Sequence, residues 1–136
     1  MHLVRHLLLC TLALMALLVC GSCTEKDPSL TGTWTLAEDS ARNFGMPGHP
    51  QIVLNLDRSF TASEIQKELL YNPEPLSGSG TWKRSGDEIF LAFSKINGTD
   101  KNWEIRLGIA DEDKKPKLFF YRGDRTSGYR IFFEKL

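Results

Sequence analysis

Trp103-Glu104-Ile105-Arg106-Leu107-Gly108-Ile109 decides how this chain folds. Its large apolar side chains recur at every second position, with Glu, Arg and Gly between them. That period places one set on the core face of an extended strand and the other toward water. Runs of similar texture occupy residues 33–37, 51–56, 59–65, 80–84, 88–94, 117–122 and 129–135, so the pattern predicts eight strands. Several joins carry tight-turn chemistry: Asp57-Arg58, Ser85-Gly86-Asp87, Asn97-Gly98-Thr99-Asp100 and residues 123–128. Short joins favour antiparallel neighbours, so the expected topology is a meander. Eight such strands in residues 31–136 are enough to close an all-β barrel, which removes exposed edges. A two-sheet β-sandwich would use the same pattern. Helical periodicity is weak; residues 63–71 (SEIQKELLY) are the one stretch where Ile65, Leu69 and Tyr71 fall near a common face.

The segment before the strands has a different character. Residues 1–6 carry Arg5 and no acid, and residues 7–19 are uncharged and apolar apart from Thr11. Thirteen apolar residues suit the core of an export signal and fall short of the roughly 20 a membrane span needs. Cys20-Gly21-Ser22-Cys23-Thr24 follows. Small residues directly before a Cys resemble the lipobox of bacterial lipoproteins, with Cys20 standing where that family prefers an aliphatic residue. The resemblance implies that residues 1–22 are a signal peptide and that Cys23 becomes the diacylglyceryl-bearing first residue of the mature chain. It also implies an outer-membrane location facing the periplasm, because Thr24 is not the Asp that favours inner-membrane retention. An ordinary secretory signal cleaved near Ser22 would leave Cys23 as a plain thiol. Residues 23–30 then read as the lipidated Cys and a polar tether, and residues 31–136 as a single domain.

Composition narrows the function. The chain has 17 basic and 17 acidic residues, and removing residues 1–22 takes away only Arg5. Without a basic excess there is no electrostatic case for nucleic acid as a partner. All three cysteines (Cys10, Cys20, Cys23) lie in or at the edge of the leader, so residues 31–136 must be held by their core alone.

Gly32-Thr33-Trp34 returns as Gly80-Thr81-Trp82. In each, the Gly admits a bend at the barrel end and the Trp offers a large ring to plug it. Leu30-Thr31-Gly32-Thr33-Trp34, Leu56-Asp57-Arg58-Ser59-Phe60 and Gly128-Tyr129-Arg130-Ile131-Phe132 together resemble lipocalin-like proteins, whose first strand opens with Gly-x-Trp. That resemblance implies a barrel closed at its base by an Arg from the last strand packed on the first Trp: Trp34 with Arg130, or less readily Arg122, and Trp82 nearby. The chain is shorter than full lipocalins and shows no clear C-terminal helix.

Two binding modes follow from which way side chains point. Seventeen large apolar residues, among them Trp34, Leu56, Trp82, Trp103, Leu118 and Phe120, fall on the inward positions. An eight-stranded barrel is just wide enough for side chains to fill it, which predicts a core and not a roomy cavity. Phe119, Tyr121 and Phe132 fall on the opposite, outward positions of neighbouring strands, a candidate patch for a protein partner. A loop covering that face is the structural alternative, from residues 38–50 or 66–77. The first of these carries Phe44 and Met46, which would also gate the barrel's open end if a small apolar ligand or lipid bound there.

No reaction chemistry stands out. His49 is the single histidine after residue 6, which leaves no partner for a soft-metal site or a nucleophile–base pair. Asp111-Glu112-Asp113 precedes Lys114-Lys115 and lacks the spaced oxygens of a calcium loop, so it reads as a solvated hairpin tip. No phosphate-binding Gly loop is present. The expectation is a non-enzymatic envelope lipoprotein without cofactor or metal, held to the membrane by its lipid. It would bind a protein partner, as in inhibitor, immunity or envelope-assembly roles, or alternatively a small apolar ligand.

Overall fold

The computed structural model describes residues 27–66, 74–112, 114–122 and 125–136. Residues 1–22, expected as a leader, Cys23 and the far half of the 63–71 stretch lie outside them. Eight strands run in order: β1 (Gly32–Leu36), β2 (Gln51–Leu54), β3 (Ser59–Ile65), β4 (Leu76–Ser85), β5 (Glu88–Ile96), β6 (Thr99–Glu112), β7 (Lys115–Tyr121) and β8 (Arg130–Lys135). Each pairs antiparallel with the next, and β8 returns to β1 to close the barrel. The meander barrel expected from the alternation is the fold, and the sandwich is not.

Local chemistry sets the joins. Ile96 pairs with Thr99 across a two-residue turn whose Asn97 and Gly98 have φ of 49° and 79°. Positive φ at both central positions matches the twist of the flanking strands, and Asn-Gly is the pair that adopts it most readily. At the β2–β3 turn, the Asp57 carboxylate accepts hydrogen bonds from the Ser59 amide and hydroxyl, at 2.9 and 2.6 Å. Those bonds hold the Asp57 carboxyl below its ordinary range.

The interior is filled. Trp34, Ile52, Ile89, Leu91, Leu118, Ile131 and Phe133 are each 0% exposed. Side chains lining water-sized space would retain exposure, so this part of the barrel is close-packed core. Phe60 and Phe93 meet edge to face at 4.9 Å within it.

Three expectations need correction and a fourth holds. Leu56 is 46% exposed, because β2 ends at Leu54 and Leu56 enters the turn. Residues 38–44, expected as loop, form helix α1 (Glu38–Phe44). Its seven residues carry no apolar stripe to betray it, and it stops at Gly45, whose φ of 57° is the left-handed cap. The run from Asp111 to Lys115 is the expected hairpin tip: Asp111 and Glu112 end the 14-residue β6, opposite Pro116 and Lys115 at the start of β7. Finally, residues 27–30 are part of the domain and not tether: Leu30 is 1% exposed within the core cluster.

Candidate functional site

One barrel end gathers the start of β1, the β2–β3 and β4–β5 turns and Leu136; the opposite end carries α1 and the β7–β8 connection. Both tryptophans of the repeated tripeptide sit toward the first end. The Trp34 indole N–H donates to the Leu30 carbonyl and the Trp82 N–H to that of Asn55, each at 2.9 Å. Each ring is thereby buried while its polar edge is satisfied.

The arginine that lies on a tryptophan here is Arg58, its guanidinium 4.2 Å from the Trp82 ring centre. The Trp34–Arg130 packing implied by the lipocalin resemblance does not form. Register explains why: Trp34 lies opposite Lys135, whereas Arg130 lies opposite Tyr121 at the other end of β8. Five residues of extended strand separate those positions by about 16 Å. Arg122 stands over Phe44 at 4.9 Å, also away from Trp34.

Phe119, Tyr121 and Phe132 do come together. Phe119 meets Tyr121 edge to face at 5.3 Å and Phe132 at 5.8 Å. The cluster is less open than alternation suggests. Phe119 is 7% exposed, and Tyr121 and Phe132 are half-buried. Phe119 lies across the strand from Gly108, where the missing side chain makes room; a β-carbon at Gly108 would stand 2.1 Å from the ring's Cζ. The Arg130 guanidinium covers the ring's outer side, 4.6 Å from Phe119 and 5.6 Å from Tyr121. Arg125, ion-paired to Glu88 at 3.0 Å, reaches Tyr121 at 5.8 Å, and Lys117, paired to Glu134 at 3.3 Å, reaches Phe132 at 5.8 Å. The aromatic face is therefore roofed by cations whose stems and planar groups shield it while remaining wet.

Helix α1 stands beside this face. Its Ser40 hydroxyl accepts the Phe132 amide at 2.9 Å, and the Ala37 amide donates to the Phe132 carbonyl at 2.8 Å. Between α1 and β8 opens a cleft of about 680 Å³, lined among others by Asn43, Phe44, Lys117, Tyr129, Arg130 and Phe132. Tyr129 is 64% exposed on its rim. Of the loop residues, Met46 is 8% exposed and packs in the core cluster, with partly buried Phe44 against that cluster. Alternation places Tyr129 in the last strand and carries no signal for a rim, whereas β8 begins one residue later at Arg130.

His49 is exposed in the loop before β2, its amide donating to the Glu64 carboxylate at 2.9 Å. No cluster of three or more metal-ligating side chains occurs among the described residues. No helix among the described residues is long and apolar enough to cross a membrane.

The fold and this face define a small, closed, antiparallel meander barrel with a mixed aromatic and charged cleft on its outer wall. Comparison with family models, curated proteins and solved structures finds no match for this chain.

Proposed function

We propose that this chain is a non-catalytic, lipid-anchored barrel of the bacterial envelope that binds a protein partner on the outer face of β7 and β8, beside α1. The observation carrying this reading is the contrast between wall and interior. Core side chains at 0% exposure leave little room for a guest among them, whereas the cleft on the wall is of ligand-binding size and bears an exposed aromatic, Tyr129. Aromatic and Arg side chains are the types that dominate protein interfaces, since they bury much area and still offer hydrogen bonds. The same contrast disfavours the alternative, a small apolar ligand held inside the barrel. Anchoring rests on the lipobox-like Cys20-Gly21-Ser22-Cys23, and would keep the domain at high effective concentration near membrane-bound partners.

A photo-crosslinking residue at position 129 tests the site, with one at Thr61 as control. Thr61 is exposed on β3, three strands from β8 around the barrel. In whole cells a discrete protein adduct should form from position 129 and not from position 61. Identical patterns from the two positions, or none, would remove the proposed interface.

A further inference from the structure

Residues 27–30 are clamped to one rim of the barrel by contacts from three separate strands. The Asp27 carboxylate pairs with Arg84 of β4 at 2.9 Å, and that carboxylate is 15% exposed. The Ser29 carbonyl accepts from the Lys135 ammonium of β8 at 3.3 Å, and the Leu30 carbonyl from Trp34 of β1. Asp27 is thus fixed at this rim, four residues nearer Cys23 than Thr31 is. Between Asp27 and Cys23 only residues 24–26 intervene, so the four peptide steps reach at most ~14 Å. The nine-residue β5 rises about 30 Å along its own direction, or roughly 23 Å along the axis at the usual strand tilt. The end bearing α1 therefore lies beyond the reach of that chain.

The same rim gathers exposed leucines and lysines, with exposed Asp57 and Asp87 at its β2–β3 and β4–β5 turns. Leu56 and Leu136, 46% and 81% exposed, both project there; among the described residues only Tyr129 joins them as an exposed large hydrophobic, and it lies at the other end. Lys114 and Lys115 are exposed at the adjoining β6–β7 turn. A groove of about 380 Å³ runs between Lys115, Pro116, Lys135 and Leu136. Leucine tips beside lysines match the boundary of a bilayer, where apolar groups enter the headgroup layer and ammonium groups meet phosphates.

We propose that the barrel docks end-on to the lipid surface through this rim, with Leu56 and Leu136 at the headgroups, so that the α1 cleft faces away from the membrane. This rests on lipidation at Cys23, and covalent attachment supplies most of the affinity. The rim sets orientation. Two leucines and a few lysines contribute too little to hold an unanchored domain, for which even one acyl chain is marginal.

The test uses the full lipidated protein reconstituted into phosphatidylcholine–phosphatidylglycerol vesicles, with a fluorophore on a single introduced cysteine at Asp87→Cys or Asn43→Cys. Asp87 lies in the β4–β5 turn on the anchored rim and Asn43 on α1, and both are exposed. A nitroxide carried on lipid headgroups quenches over short range. Quenching at position 87 should exceed that at position 43 several-fold, and Leu56→Glu with Leu136→Glu should reduce the difference while the protein still floats with the vesicles. Equal quenching in a floating protein overturns end-on docking and leaves the anchor intact. Failure to float overturns the anchor itself, and the docking with it.

Discussion

Gly108→Ala should change sign with its background. In the native barrel an added β-carbon would overlap the Phe119 ring, 2.1 Å from Cζ, and the three nearest atoms all belong to that ring. The ring must leave its seat. Phe lies at the low end of the about 150–250 Å² that aromatic side chains bury. At ~25 cal/mol per Å², reduced by ~10–40% for a compact unfolded state, expelling a ring now only 7% exposed costs about 2–3 kcal/mol. Against this stands a gain of about 0.5–1 kcal/mol, because Ala loses less chain entropy than Gly in a strand. Gly108 is not among the positive-φ residues, so its backbone suits Ala. The net cost in the native background is about 1–2.5 kcal/mol, using those same area and entropy magnitudes. With Phe119→Ala already present the clash is gone, and Gly108→Ala should stabilise by about 0.5–1 kcal/mol. Equilibrium urea unfolding of the four proteins, followed by tryptophan fluorescence, gives the cycle. Destabilisation of equal size in both backgrounds would refute the placement of Phe119 on Gly108.

Three further outcomes concern the rim that holds residues 27–30 and the proposed anchor. Burial tends to raise the Asp27 carboxyl, but the Ser29 hydroxyl and the Arg84 guanidinium outweigh it and hold the group below its ordinary range. A depressed folded value means stability present above the unfolded pKa and lost as pH falls through the folded one. Asp27→Asn should therefore be less stable than the parent at neutral pH, and the two stability curves should converge in strong acid; a pH-independent gap would contradict the ion pair. Trp34→Phe removes the donor to the Leu30 carbonyl inside the core, which costs about 1–3 kcal/mol for the orphaned acceptor and more for the lost ring volume. Urea midpoints measure it, and a change within ±0.5 kcal/mol, ordinary for a surface site, would contradict the buried hydrogen bond. Cys23→Ala should move the protein from the membrane to the soluble fraction with its far-UV circular dichroism unchanged. Retention in the membrane would show that something other than this Cys holds it there.

Periodicity and turn chemistry are local, and they were enough for the strands and for the meander. Trp103 to Ile109 announces a strand from seven residues alone, and Asn97-Gly98 announces its hairpin from two. What lies across from what was not legible. Trp34 and Arg130 carry the residue types of a barrel closure, yet their pairing depends on the offset between β1 and β8, set by where the whole sheet closes. The Trp–Arg stack falls instead to Trp82 and Arg58, brought together by the β3–β4 register that sets Ser59 opposite Thr81. Phe119 reads as outward and is outward, but a glycine on the neighbouring strand and an arginine above it bury it all the same. Asp27 to Leu30 reads as polar linker, since only the folded rim brings Arg84, Lys135 and Trp34 to meet it. The sequence by itself determined the elements and the face each residue occupies, because backbone period and turn φ depend on near neighbours. Only the tertiary structure decided which faces are covered and which rim holds residues 27–30, because those depend on register summed around a closed ring.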